Sequence, residues 1–95
     1  MDWAWDRNKA VANLRKHKVS FELAARVFDD PDHLSRPDPD PDEARWRTLG
    51  RPFGSSPSVL LVVHTDMDDD GQGGRIISAR KATPHERRTY EDGTF

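Results

Sequence analysis

The sequence of 95 residues contains no cysteine. Disulfide bonds, thiolate nucleophiles and cysteine-based zinc sites are therefore excluded, and the composition suits a reducing cytosol. Long apolar runs are also missing, since the longest, residues 59–63, is far too short to span a membrane. Residues 1–3 are acidic and lack the apolar stretch of a signal peptide. We therefore expect a cytoplasmic protein with no membrane association.

Apolar residues make up only 34% of the chain, the same share as charged residues. A chain of this length and composition supports one small domain with a thin core. Only four histidines are present, and no two of them have the spacing of metal ligands. We expect a single domain over residues 1–95 that needs neither a metal ion nor another cofactor.

The overall net charge of −2 hides an uneven distribution. Residues 29–42 carry six Asp and one Arg, a net charge of −5, and residues 66–70 carry four Asp, so the other 76 residues have a net charge of +7. We expect residues 31–42 to form an exposed Pro/Asp loop and residues 66–74 an acidic, glycine-rich loop. A basic body of this kind attracts nucleic acid, although a solvated surface of mixed charge is an alternative interpretation.

Capping residues and apolar spacing predict three helices. Asp6 and Ser20 are suitable N-caps for two N-terminal helices, and the second helix is expected to end before Pro31. Thr83 and Glu86 have the spacing of a capping box, which opens a C-terminal helix. Residues 43–49, 58–65 and 75–81 are predicted strands joined by short loops, an arrangement typical of an antiparallel meander.

Together these elements predict an α+β fold. Two N-terminal helices and a C-terminal helix pack on a small antiparallel sheet of three or four strands in this prediction. Residues 3–5 form either a short first strand or an extended lead-in to the first helix.

Arginines recur along two of the predicted strands. Arg45 and Arg47 share one face of their strand, whereas strict alternation puts Arg75 and Arg80 on opposite faces of theirs. A guanidinium on a strand needs a partner, and its planar set of N–H donors can form two hydrogen bonds with one phosphate. A neighbouring carboxylate, or a side chain extended into solvent, would satisfy arginine as well. The arginines are therefore candidate ligands of an anion, most plausibly phosphate.

Two side chains are candidates for proton transfer. His17 ends the first predicted helix in a basic stretch, and an imidazole exchanges protons near neutral pH. A solvated histidine that complements the helix dipole is the alternative. Glu86 could act as a catalytic carboxylate, although the capping box alone accounts for it. Tyr90, on the C-terminal helix, could stack on a base or pack against the sheet.

Two groups of motifs resemble the BrnT family of toxins. The opening group comprises Trp5-Asp6, Lys9, Asn13, Lys16-His17, Val19-Ser20-Phe21, Ala24, Val27-Phe28 and Asp30-Pro31. The closing group comprises Arg75-Ile76-Ile77-Ser78-Ala79-Arg80, Glu86-Arg87 and Tyr90. The resemblance covers nearly the whole chain with its motifs in the right order.

The resemblance implies a RelE-like fold and a ribonuclease toxin of a type II toxin–antitoxin pair. It implies a BrnA-like antitoxin that neutralises the toxin in the cytoplasm and makes most operator-DNA contacts when the complex represses its operon. The predicted function is a metal-independent endoribonuclease. Its candidate catalytic residues are His17, Arg75, Arg80 and Glu86, and its candidate RNA contacts are Lys9, Lys16, Arg45, Arg47, Arg87 and Tyr90.

The chain departs from the family pattern at two places. Lys18 stands where the family usually has glycine, and Met67 stands where it usually has arginine. The Asp run at 68–70 adds negative charge beside the second position. The departures leave two alternative functions open. The chain could be an inactive homologue that binds its antitoxin and contributes to operon repression, or a nucleic-acid-binding module without a partner.

Overall fold

Three helices and a five-stranded sheet account for most of the part of the chain that the structure describes. The computed structural model describes residues 3–39, 44–54, 56–65 and 74–95. In chain order the elements are β1 Ala4–Trp5, α1 Arg7–His17, α2 Phe21–Ala25, a 3-10 helix Arg26–Asp29, β2 Leu34–Pro37, β3 Arg45–Gly50, β4 Leu60–Thr65, β5 Arg75–Lys81 and α3 Pro84–Asp92. Within these residues no helix is long and apolar enough to cross a membrane.

Side-chain caps fix where the helices begin, as the sequence predicted. The carboxylate of Asp6 accepts hydrogen bonds from the first turn of α1, and Ser20 Oγ accepts one from the first turn of α2. Thr83 and Glu86 form a complete capping box at α3, with Pro84 at its first position. These groups satisfy backbone N–H groups that have no partner inside a helix.

The α+β class is confirmed, but the predicted sheet is wrong in one respect. The strand order is β1-β5-β4-β3-β2, and the last four of these strands pair antiparallel. Strand β1 pairs parallel to β5, so the sheet is mixed. Short hairpin loops impose an antiparallel direction on strands that follow one another, whereas β1 and β5 are separated by most of the chain. In addition, α1 and α2 follow β1 and do not begin the chain.

Part of the predicted Pro/Asp loop forms an edge strand. Residues Leu34–Pro37 form β2 and pair with β3, with Leu34 opposite Leu49 and Arg36 opposite Arg47. Pro37 is tolerated there because an edge strand needs only half of its backbone hydrogen bonds. Residues 40–42 of the predicted loop, residue 43 of the predicted strand after it, and residues 66–73 of the acidic loop lie outside the described residues.

Two apolar clusters occupy opposite faces of the sheet. Alternate residues of β4 separate them: Leu60 and Val62 belong to the first cluster and Leu61 to the second. The first cluster joins the sheet to α2 through Phe21 and Ala24, and the second joins it to α3 through Tyr90. We call the face of the sheet that packs against α3 the α3 face. Polar side chains can lie on the part of this face that α3 does not cover.

A β-bulge in β5 changes which side chains share the α3 face. Val63 pairs with Ser78 and His64 with Ile76, so Ile77 is an extra residue on its strand. Ile76 and Ala79 are both buried in the first cluster despite their odd spacing. Their neighbours Arg75 and Arg80 therefore point to the same, opposite face, and the prediction that strict alternation separates them is wrong.

Asn13 joins α1 to the edge of β5. The side chain is 7% exposed, and its Oδ1 accepts a hydrogen bond from the Ala79 N–H at 3.1 Å. Its Nδ2 donates to the carbonyls of Ala79 and Val19, both at 2.9 Å. The amide thus pairs with β5 as another strand would, because it offers both a donor and an acceptor to one residue. The same group fixes the turn between α1 and α2.

Lys18 ends α1 in the left-handed conformation, with φ of 61° and ψ of 26°. It is the only non-glycine residue with positive φ among the described residues. An L side chain in this region is strained by about 1 kcal/mol, whereas glycine adopts it freely and is the most common residue at such helix ends.

Replacement of Asn13 by alanine is expected to lower the free energy of unfolding by about 3 kcal/mol. The buried N–H of Ala79 and two carbonyls would lose their partners, each at about 1–3 kcal/mol before relaxation. Urea denaturation of Asn13→Ala, with Asn8→Ala at an exposed position of the same helix as control, measures this. The control is expected to change stability by less than about 0.5 kcal/mol. Equal effects of the two substitutions would contradict the structural role of Asn13.

Replacement of Lys18 by glycine is expected to raise the free energy of unfolding by about 1 kcal/mol, since glycine adopts positive φ without strain. Lys16→Gly, two residues earlier inside α1, is expected to lower it by about 1 kcal/mol. Thermal unfolding of both variants tests the opposite signs. A loss of stability in Lys18→Gly would show that the αL conformation carries no strain.

Candidate functional site

The α3 face collects five of the residues that the sequence analysis selected. Arg45 and Arg47 lie on β3, Arg75 and Arg80 on β5, and Glu86 on α3. Arg47 has the same orientation as Leu49 two residues later, which packs under Tyr90 of α3. The four arginines and Glu86 therefore share one face of the structure, although the sequence separated Arg75 from Arg80.

Arg80 and Glu86 form a two-point ion pair. Arg80 Nη1 donates to Glu86 Oε1 at 2.8 Å and Nη2 donates to Oε2 at 3.0 Å. Glu86 Oε1 also accepts the Thr83 N–H at 2.8 Å as part of the capping box. Both carboxylate oxygens of Glu86 thus have hydrogen-bond partners, so the carboxylate holds the guanidinium of Arg80 in one orientation.

The charges in this pair reinforce one another. The hydrogen bonds from Arg80 hold the pKa of the Glu86 carboxyl below its usual range; burial opposes this shift and the Thr83 N–H adds to it. The hydrogen bonds to Glu86 likewise raise the pKa of Arg80. Glu86 is therefore ionised near neutral pH and cannot donate a proton there. Its geometry suits positioning of Arg80.

A groove of about 320 Å³ lies beside this pair, between α3 and the β2–β3 edge. It is lined by Arg36, Arg47, His85, Glu86, Thr89, Thr94 and Phe95. Arg47 Nε donates to the Asp38 carboxylate at 2.7 Å. The guanidinium carbon of Arg36 lies 5.3 Å from the centre of the Phe95 ring. The groove therefore combines two guanidinium groups, an imidazole and an aromatic ring.

Sequence reasoning missed three residues of this groove. Arg36 lies in the segment predicted to be a loop, and His85 resembles an ordinary surface residue in the sequence. Phe95 lies after α3 and has no periodic partner in the sequence. The pairing of β2 with β3 brings Arg36 to α3, and no local pattern predicts that pairing.

Several other predicted site residues lie elsewhere. Lys9 and Lys16 are exposed on α1 and His17 ends that helix, which packs through Ala10 on the first cluster. The structure does not bring these three to the α3 face. Arg87 is exposed on α3, with its Nε 3.7 Å from a carboxylate oxygen of Glu91, and it does not line the groove.

Tyr90 is a structural residue. It is 8% exposed, and its hydroxyl donates to Asp30 Oδ2 at 2.6 Å. The guanidinium of Arg51 covers its ring at 5.5 Å. Burial, with the hydrogen bond to Asp30, raises the pKa of Tyr90. The packing alternative therefore describes Tyr90, and its buried ring offers no face to a nucleobase.

A larger cavity, of about 660 Å³, is a different site at the other end of α3. Its lining includes the carboxylates of Asp32, Glu91 and Asp92 together with His33 and Arg51. A polyanion would be repelled there. No group of three or more His, Asp or Glu side chains within the described residues could hold a metal ion. Size alone is therefore a poor guide, and the smaller cationic groove is the better candidate.

Comparison with known proteins identifies the family. A family model described as "Ribonuclease toxin, BrnT, of type II toxin-antitoxin system" matches residues 5–86. The chain is similar in structure to the Brucella abortus ribonuclease toxin BrnT, with a TM-score of 0.61 and 20% sequence identity over 87% of this chain and 97% of that one. The TM-score shows a shared fold. No curated protein matches the chain.

The family match extends from β1 into α3 and therefore includes β5, Arg80 and Glu86. A toxin of a type II system is one member of a pair, so the family implies an antitoxin partner. The resemblance found in the sequence motifs is thereby confirmed: the chain belongs to the BrnT family of ribonuclease toxins of type II toxin–antitoxin systems.

Proposed function

We propose that this chain is an active, metal-independent endoribonuclease toxin with its site on the α3 face. The observation that carries this proposal is the Arg80–Glu86 pair, fixed by the capping box beside a groove that also contains Arg47. In a family of ribonuclease toxins, a rigid guanidinium next to a cationic groove suits the phosphate of an RNA backbone. The RelE-like character that the sequence resemblance implies is part of the same proposal.

The proposed reaction is attack of an RNA 2′-oxygen on the adjacent phosphorus. A bond from the 2′-oxygen to phosphorus forms, the bond to the 5′-oxygen breaks, and the products are a 2′,3′-cyclic phosphate and a 5′-hydroxyl. Arg80 stabilises the charge that develops on the phosphoryl oxygens. Arg75 lies on the same face but five residues along β5, about 15 Å away, so it stays a prediction for this step and suits a phosphate farther along the RNA. Arg45 and Arg47 hold neighbouring phosphates, and Glu86 keeps Arg80 in position.

Proton transfer requires a group that takes the 2′-hydroxyl proton and one that gives a proton to the leaving 5′-oxygen. His85 lines the groove beside Glu86 and is our first candidate. His17 stays a prediction, since α1 packs with the first cluster on the other face. Lys9, Lys16 and Arg87 stay predicted contacts for the parts of an RNA that extend beyond the groove.

The partner we propose is a BrnA-like antitoxin that neutralises the toxin in the cytoplasm and carries the operator-DNA contacts of the complex. The family assignment supports a partner of this class. The cationic groove gives such an antitoxin a direct way to inhibit, because an acidic segment placed there would exclude RNA by occupying the same arginines.

An inactive homologue that only binds its antitoxin is the second candidate. Met67 replaces the usual arginine, and four Asp residues occupy positions 66–70. These positions lie outside the described residues, so the argument for this candidate is one of charge alone. Repulsion of RNA by four additional carboxylates would favour it.

Expression of the chain alone in a bacterial host is expected to arrest growth and degrade RNA. Arg80→Ala is expected to lower the cleavage rate of purified protein by about 10²–10³-fold, the range for loss of one group that stabilises developing charge. Arg15→Ala, at an exposed position of α1, serves as control. Harmless expression of a folded wild-type protein that leaves RNA intact would favour the inactive homologue.

The two histidines are expected to differ in cleavage assays. His85→Ala should slow cleavage by about 10²-fold or more and remove one limb of the pH–rate profile, since positioned acids and bases contribute about 10²–10⁴-fold. His17→Ala should leave both rate and profile within about twofold of wild type. The reverse result would return His17 to the active site and remove His85 from it.

A further inference from the structure

Arg36 and Arg47 face each other directly across the β2–β3 pair. Residues opposite each other in an antiparallel pair lie about 5 Å apart at Cβ, and like charges in that position are destabilising. Both side chains point to the α3 face and both line the groove. Such a pair is stable when an anion lies between the two guanidinium groups.

Within the described residues, the partners of Arg36 and Arg47 do not use the terminal guanidinium nitrogens, which can therefore donate to a phosphate. Asp38 accepts from Arg47 Nε at 2.7 Å, which is not one of the two terminal nitrogens. The Arg36 guanidinium lies over the Phe95 ring, and this contact neutralises no charge. Phe95 packs in turn against the second cluster, so the ring holds the Arg36 head group at the groove.

Among the described residues, the arginines at the groove outnumber their carboxylate partners. Arg47 is paired with Asp38, and Arg80, which lies beside the groove, is paired with Glu86, whereas Arg36 lies over the Phe95 ring. Within these residues the excess of one positive charge therefore lies at Arg36, and a single phosphodiester would neutralise it.

We propose that Arg36 and Arg47 form a second phosphate subsite for RNA, with Phe95 as the residue that positions Arg36. This inference rests on the proposed ribonuclease function and identifies where the strand continues beyond Arg80. Arg80 lies on β5 and Arg36 on β2, three strand spacings or about 14 Å away. The subsite therefore holds a phosphate other than the one that is cleaved.

The chain contains a matched control for this chemistry. Arg26 lies over the Phe53 ring at 4.7 Å, the same type of pair as Arg36 over Phe95. The cavity around Arg26 is lined by Asp29 and Asp30 as well as by Arg51, so its two carboxylates match its two arginines and no excess positive charge is left for a phosphate. Substitutions at Arg26 and Phe53 therefore remove the same kinds of atoms without touching the proposed subsite.

The test is equilibrium binding of a fluorescent RNA hexanucleotide that is 2′-O-methylated throughout and so cannot be cleaved by 2′-oxygen attack. Arg36→Gln is expected to weaken binding about tenfold, equally for two unrelated sequences, as loss of a phosphate contact does. The slope of log K against log salt concentration should fall by about 0.7, the value for one phosphate contact on a single strand. Arg26→Gln should change neither quantity.

Phe95 is tested in the same assay. Phe95→Leu keeps apolar packing but removes the ring, and it is expected to weaken binding several-fold with a lower salt slope, whereas Phe95→Tyr should bind as wild type does. Phe53→Leu is the control, and thermal unfolding verifies that every variant is folded. A loss of affinity in Arg36→Gln no larger than in Arg26→Gln would overturn the subsite. Wild-type protein that binds this RNA but does not cleave unmodified RNA would overturn only the ribonuclease proposal.

Discussion

The rest of the structure depends on one buried amide. Asn13 pairs with Ala79 at the open edge of β5 and at the same time holds the carbonyl of Val19. Strand β5 carries the first cluster on one face, through Ile76 and Ala79, and arginines on the other. A shift of β5 along its neighbouring strands would therefore both expose apolar residues and displace Arg80. Because the donor and the acceptor of the Asn13 amide both bind Ala79, only one position of β5 relative to α1 satisfies the two hydrogen bonds.

The two faces of the sheet divide the work of folding and binding. Apolar contacts with α2 stabilise one face, and on the other α3 covers only the end that contains Leu49 and Leu61. The remainder of the second face can therefore carry arginines that a thin core would not tolerate. Like charges on neighbouring strands destabilise the folded state, and Glu86 and Asp38 offset part of that cost. Under the proposed function, binding of RNA would relieve the uncompensated part, so that a loss of stability in the free protein would become affinity in the complex.

Features set by neighbouring residues were predictable from the sequence, and those set by distant ones were not. Asp6, Ser20 and Thr83 cap their helices because a cap acts within four residues, and the predicted bounds of β5 match the structure. The bulge at Ile77, the strand from Leu34 to Pro37 and the parallel pairing of β1 all depend on strands remote in sequence. For the same reason the sequence indicated Arg80 and Glu86 separately, while their pairing and the contribution of Arg36 required the fold.

Glu86 holds Arg80 in one orientation in the free protein, and under the proposed function this limits what else Glu86 can do. A guanidinium that is already oriented needs little reorganisation when charge develops on a phosphoryl oxygen, and such preorganisation is the main source of electrostatic catalysis. A carboxylate that did this while also serving as general base would have to release Arg80 as it took up a proton. Its lowered pKa opposes that step, because protonation would cost both the ion pair and the cap. Positioning and proton transfer are therefore best assigned to different side chains, and an imidazole in the same groove can supply the second without disturbing the first.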